Sequence, residues 1–142
     1  MASATNTITV GLTIDSVVYD MSNTFTTSSA TDAYIRRVNV DTTEIQILQV
    51  GATVAAGKIE SIRGLVIHNL STKNTVRIRF TETGSNQTAI FRIPPKGFHN
   101  FGNAQYSVNN TGGAFVAFVN VASIYASAEY DDATILFIAQ HD

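Results

Sequence analysis

The sequence contains no cysteine and no tryptophan, has only two prolines, and gives 14% of its positions to charged residues. The absence of cysteine excludes a disulfide framework, a thiol nucleophile and a cysteine-ligated zinc site. Soluble domains average about 25% charged residues. The surface is therefore expected to be largely neutral and rich in Thr, Ser, Asn and Ala, which suits packing against other subunits.

Basic clusters and long apolar runs are also missing, and we expect no secretory leader. The formal net charge is −2, whereas nucleic-acid binding needs clustered Lys and Arg to neutralise phosphates. No apolar run approaches the ~18 residues of a membrane-spanning helix. Residues 1–7 lack the basic and apolar regions of a signal peptide. We therefore expect neither a nucleic-acid partner nor a membrane partner.

Period-2 alternation of apolar and polar residues is the dominant pattern of the chain. Val76, Ile78 and Phe80 alternate with Arg77 and Arg79, as in a half-buried β-strand. The same pattern recurs in about ten short segments, at the spacing of roughly 8–12 residues that is typical of sandwiches and barrels. No long helical pattern is present. A chain of 142 residues fits one domain.

We therefore predict an all-β fold, an antiparallel β-sandwich of jelly-roll type with little or no helix. Residues 1–142 form one domain in this interpretation, with residues 1–7 as a candidate extended N-terminal arm. In residues 6–14 the apolar positions are expected to point inward and the threonines outward.

Three segments are less clear. Residues 31–40 are consistent with a short helix capped by Ser29 and Asp32, although Val38 and Val40 favour a strand. Residues 44–50 carry apolar side chains on both faces, which predicts a strand buried on both sides. Residues 69–74 are expected to form a hairpin-like turn.

Candidate chemical groups are few and scattered. His68, His99 and His141 are far apart, and a metal site would need two of them to converge with a carboxylate. Asp131 and Asp132 follow Glu129, where a solvated turn is favoured over a calcium site.

Other catalytic patterns are weaker still. Asp15 and Asp20 are interpreted as ordinary turn carboxylates and not as a glycosidase-like pair. No Gly-x-Ser-x-Gly turn occurs, and Gly112 and Gly113 lack the spacing of a phosphate-binding loop. The prediction is a protein without catalytic, cofactor-binding or metal-binding residues.

The order of elements after about residue 60 carries a family resemblance. The Gly64–Ile78 segment leads to a strand that closes on Ile93-Pro-Pro-Lys-Gly97, and then come Gly112–Phe115, Ile124–Ala128 and a final apolar strand. This order resembles that of small β-sandwich virion proteins of tailed bacteriophages. The resemblance implies a sandwich that assembles on a larger shell, often as a homotrimer, and no functional residues carry over.

The predicted function is therefore that of a capsid decoration, or cement, protein located in the virion. Its expected partners are other copies of itself and the major capsid protein. A tail or head-fibre component is an alternative within the same class. A carbohydrate- or receptor-binding sandwich is a second alternative, and there Tyr125 or Tyr130 would be the candidate contact residues.

Overall fold

The computed structural model describes residues 3–28, 32–51, 58–59, 61–82, 88–101 and 121–141. Within these ranges the chain forms strands and no helix. In chain order the strands are β1 (Ser3–Ile14), β2 (Val17–Ser28), β3 (Asp32–Val40), β4 (Ile45–Val50), β5 (Lys58–Ile59), β6 (Gly64–Asn69), β7 (Val76–Glu82), β8 (Thr88–Ile93), β9 (Phe98–Asn100), β10 (Val121–Ala128) and β11 (Ala133–His141).

Nine of these strands form two sheets, and β1 and β2 pair only with each other. One sheet has the order β3-β11-β6-β9 and the other the order β5-β4-β10-β7-β8. All pairings are antiparallel except that of β4 with the two-residue β5. Apart from β5, the strand order of the two four-stranded layers is that of a double-sheet jelly roll. The predicted all-β, jelly-roll-type sandwich is therefore confirmed.

The core lies between the inner faces of the two sheets. The inward positions of β7 and β11 are buried and their neighbours are more exposed, as the alternation predicts. In β10 the inward Ile124, Ala126 and Ala128 are buried too, although Ser127 between them is also buried. Phe80, Phe91 and Phe101 form an aromatic cluster, with ring centroids 5.2 to 5.4 Å apart. Such tilted and edge-to-face contacts add to the free energy gained by burying the rings.

Two of the unclear segments are settled by the structure. Residues 32–40 form edge strand β3, so the capped-helix alternative is wrong. In β4 the consecutive Ile47 and Leu48 are both buried, because the register with β10 shifts between Ile124 and Tyr125. Ile45 is 37% exposed, so the strand is not buried on both sides. The sequence also predicts turns at 83–86 and 109–113 and strands at 106–108 and 115–119, and these segments lie outside the described residues.

The third segment, residues 69–74, is a corner and not a hairpin turn. It joins β6 in one sheet to β7 in the other. At its start the fully buried Asn69 donates through Nδ2 to the carbonyl oxygens of Asn74, Ile93 and Pro94, at 2.7, 3.0 and 3.1 Å. Its Oδ1 accepts from the backbone N–H of Ser71 at 3.0 Å.

Pro94 and Pro95 lie in the turn between β8 and β9, which is hydrogen-bonded to this corner. The N–H of Gly97 donates to the carbonyl of Pro94 at 2.9 Å, and Lys96 has a φ of 62°. These features define a type II turn with Pro95 at its second position. The N–H of Lys96 donates to the carbonyl of Ser71 at 2.9 Å. Together with the side chain of Asn69, this bond ties the β6–β7 corner to the β8–β9 turn and locks the two sheets together at one end.

Replacing Asn69 by Ala should lower the free energy of unfolding by about 2–4 kcal/mol, since carbonyl groups in a buried corner lose their donor. Urea denaturation followed by circular dichroism measures the change. The matched control is Asn74→Ala, which removes an exposed side-chain bond to the Asp132 carbonyl and should cost less than about 1 kcal/mol. Equal losses in the two variants would contradict a special role for Asn69.

Candidate interaction surface on the N-terminal hairpin

The β1–β2 pair is a long, regular hairpin. The two strands pair without a bulge from Ser3 opposite Ser28 to Ile14 opposite Val17. Asp15 and Ser16 connect them with φ values of 48° and 67°. Positive φ at both central residues marks a type I′ turn, whose twist matches that of the flanking strands. With twelve residues in each strand, the ribbon is about 40 Å long.

The two faces of this ribbon differ in chemistry. One face is mainly lined by hydroxyl groups, where Thr7 and Thr24 are hydrogen-bonded at 3.1 Å and Thr9 and Ser22 at 3.3 Å. Nearer the turn, this face also carries Asp20 and the exposed Val18. The opposite face carries three cross-strand apolar pairs, each with side chains between 43% and 68% exposed: Val10 with Met21, Leu12 with Tyr19, and Ile14 with Val17. We call these six side chains the hairpin face.

The inward orientation predicted for residues 6–14 is therefore wrong for Val10, Leu12 and Ile14. They share one face as the alternation predicts, but that face lies in solvent. An isolated two-stranded hairpin is marginally stable at best in water. Contiguous apolar patches of several hundred Å² on a protein surface usually mark interaction sites. The hairpin face is thus the strongest candidate interaction surface among the described residues.

A second apolar surface lies on the outer side of the β3-β11-β6-β9 sheet. Ile35, Ile138 and Val66 are direct neighbours in register across three strands. In a second row, Leu136 lies opposite His68, which in turn lies opposite Phe98. Ile35 and Phe98 are 62% and 56% exposed. We call Ile35, Val66, Phe98, Leu136 and Ile138 the sheet face.

The outer side of the other sheet is polar and charged. Arg79 donates through Nε to both carboxylate oxygens of Glu44, at 3.0 and 2.9 Å, and its guanidinium carbon lies 4.5 Å from the centre of the Tyr125 ring. Arg92 Nε lies 3.1 Å from Glu129 Oε1. Hydrogen bonding from Arg79 lowers the pKa of Glu44 below its ordinary value of 4.5. Opposite charges thus pair across this surface, which makes it a solvated ion-pair face.

The histidines do not converge. His68 and His99 lie on neighbouring strands but on opposite faces, because His99 pairs with Ile67 and His68 with Phe98. His141 is buried at the end of β11. Among the residues that the structure describes, no group of three or more His, Asp or Glu could hold a metal ion.

The acidic candidates are also dispersed. Asp131 and Asp132 lie in the turn between β10 and β11, where the N–H of Asp132 donates to Asp131 Oδ1 at 2.8 Å. Glu129 contacts Arg92. Asp15 is at the tip of the hairpin, whereas Asp20 lies opposite Gly11 further along the ribbon. Asp15 and Asp20 are therefore separated along the ribbon, and Asp131, Asp132 and Glu129 do not form a metal-holding group among the described residues.

A shallow polar groove of about 360 Å³ lies beside the sheet face. Its lining residues are mostly polar and include no aromatic side chain: Arg37, Asn39, Leu70, Ser71, Thr72, Asp132, Ala133 and Thr134. Tyr130, in the adjoining turn, is 82% exposed. Tyr125 lies on the other sheet, where the guanidinium group of Arg79 packs over its ring.

No family model, no curated protein and no solved structure matches this chain. Within the described ranges, no helix has the length and apolar character needed to cross a bilayer. The functional interpretation therefore depends on the surfaces described above.

Replacing Glu44 by Gln should lower stability by about 0.5–1 kcal/mol near pH 7, because the pair with Arg79 is partly exposed. Since the pKa of folded Glu44 is lowered, this contribution is present above pH 4.5 and disappears as the pH falls through the folded value. Urea denaturation of the wild-type protein and of Glu44→Gln, at several pH values and salt concentrations, measures this contribution. A difference that persists in strong acid or in 1 M salt would contradict the assignment.

His99 should make the protein less stable in mild acid. It packs against Phe91 and Phe101, with ring centroids 5.6 and 4.3 Å away, and burial lowers its pKa below the ordinary value of 6.5. The unfolded chain therefore binds a proton at a higher pH than the folded protein does. Stability should fall as the pH drops through 6.5 towards the folded value.

A His99→Phe variant should lose much of that pH dependence, as measured by urea midpoints between about pH 7.5 and pH 5.5. The control His68→Gln should retain it because His99 is intact. An unchanged slope in His99→Phe would assign the effect to another group.

Proposed function

We propose that this protein is a non-enzymatic structural subunit of a tailed-bacteriophage virion. The specific role proposed is that of a capsid decoration, or cement, protein. It would assemble with copies of itself, bind the major capsid protein and stabilise the head. A homotrimer is the proposed assembly.

The observation that carries this proposal is the hairpin face. Six large apolar side chains, all at least 43% exposed, line one side of a ribbon that has no core of its own. A ribbon of this kind is marginally stable in water until another surface covers its apolar face. Exposed apolar patches mark surfaces that bind another protein, a ligand or a membrane, and neighbouring subunits would cover this one in an assembling structural protein.

The strand order adds weaker support. Double-sheet jelly rolls occur in viral capsid domains and also in lectins. Because several functions share this fold, the fold supports the proposed function by analogy alone. The dispersed histidines and carboxylates of the described residues offer no constellation that would favour an enzyme over an assembling subunit.

The polar groove favours a second candidate, a carbohydrate-binding sandwich. Its volume of about 360 Å³ falls in the range of small-molecule sites, and the exposed Tyr130 lies in the adjoining turn. The groove lining, however, lacks the aromatic platform on which sugar rings stack. Carbohydrate binding therefore ranks below the structural role. Within the structural role, a tail or head-fibre component is the alternative to a capsid decoration protein.

Cosedimentation with empty shells assembled from the major capsid protein of the same phage tests the proposed function. The protein should pellet with the shells, saturate at a fixed number of copies per shell, and raise the temperature at which the shells open. Folded protein that remains in the supernatant would contradict it. A glycan array with wild-type protein and Tyr130→Ala tests the second candidate, since selective binding lost in the variant would favour carbohydrate recognition.

A further inference from the structure

We propose that the hairpin face packs against the sheet face of a second copy of this chain. Each subunit would extend its β1–β2 ribbon over the outer side of its neighbour's β3-β11-β6-β9 sheet. The inference deepens the proposed structural role and depends on it only for the premise that the chain assembles.

The first argument is area. Six side chains that are each about half exposed leave on the order of 600 Å² of apolar surface on the hairpin face. Specific interfaces bury about 800 Å² on each partner. The hairpin face with a polar rim therefore provides close to one side of a standard interface.

The second argument is shape. Both surfaces are faces of β-sheets, which pack at a separation of about 10 Å with interdigitating side chains. The apolar pairs of the hairpin face extend about 14 Å along the ribbon, from Val10 to Ile14. The row Ile35–Ile138–Val66 extends about 10 Å across three strands. The two patches are thus of comparable size.

The third argument is charge. Asp15 lies at the tip of the ribbon, next to Ile14 of the hairpin face, and the described hairpin carries no Lys or Arg. At the β3 edge of the sheet face Arg37 lies opposite Leu136, and the outward positions of β3, β6, β9 and β11 carry no carboxylate. An acidic tip and a basic edge at the rim of an apolar contact favour this pairing.

The position of the two surfaces in the chain determines the kind of assembly that this contact forms. The donating and receiving surfaces are different parts of the chain, so the contact is heterologous. Heterologous contacts generate closed rings when the rotation allows, and a trimer is one such ring.

Engineered cysteines test the contact directly, because the natural chain has none. Leu12→Cys and Ile138→Cys chains, one of them enlarged by a tag, are mixed and oxidised. The expected major product is a covalent pair that contains one chain of each kind. The matched control is Thr9→Cys, on the hydroxyl-lined side of the same strand, which should give little mixed product with Ile138→Cys.

Sedimentation velocity gives a second readout. Tyr19→Ser should raise the dissociation constant for self-association about 10- to 100-fold, while Thr9→Ser leaves it unchanged. Circular dichroism and urea midpoints verify that the sandwich is folded in both variants.

Three results would overturn the inference. Leu12→Cys that cross-links mainly to itself would show hairpin-to-hairpin packing. An intramolecular disulfide in a diluted Leu12→Cys/Ile138→Cys double variant, without mixed product from the single variants, would show that the ribbon covers its own sheet. A wild-type chain that remains monomeric at high concentration would exclude a second copy as the covering partner. None of these measurements uses capsid shells, so the failure of shell binding and the failure of this contact are separate outcomes.

Discussion

The apolar face of a two-stranded ribbon needs a covering surface, and this requirement governs the interpretation of the whole structure. Val10, Leu12 and Ile14 on β1 pair with Met21, Tyr19 and Val17 on β2 and remain at least 43% exposed. A hairpin without a third layer gains too little from burial to offset the entropy of ordering two long strands. A surface that covers the hairpin face would therefore stabilise the ribbon and, in the proposed assembly, the contact between subunits.

The sandwich body does not share this dependence. Its core is closed by two sheets, and its end is tied by the buried Asn69, whose amide bridges carbonyls of both the β6–β7 corner and the β8–β9 turn. Oppositely charged residues such as Glu44 and Arg79 cover the outer side of one sheet. A sandwich with its own core and a β1–β2 ribbon whose apolar face is uncovered is compatible with the proposed role as an assembling subunit.

The sequence predicts the strands of the sandwich well. It predicts neither the exposure of the β1–β2 ribbon nor the hydrogen bonding of the corner at Asn69. Alternation in β7, β10 and β11 identifies the buried residues, because period-2 patterning reports which side chains share a face. It does not report what covers that face, so the pattern wrongly predicts inward positions for Val10, Leu12 and Ile14. The sequence pattern also does not predict the hydrogen bonds of the Asn69 side chain, because its acceptors at Ile93 and Pro94 are 24 and 25 residues away. The placement of His68 and His99 on opposite faces of neighbouring strands follows from the β6–β9 register, which the sequence pattern does not give.

Amide hydrogen exchange of the β1 and β2 backbone, measured at high and low protein concentration, tests the central claim most directly. If a second subunit covers the hairpin face, the ribbon amides should be protected at high concentration and should exchange much faster on dilution. The amides of β7, β10 and β11 should be unaffected. Ribbon amides protected equally in dilute monomer would show that the hairpin is stable alone and would contradict the account.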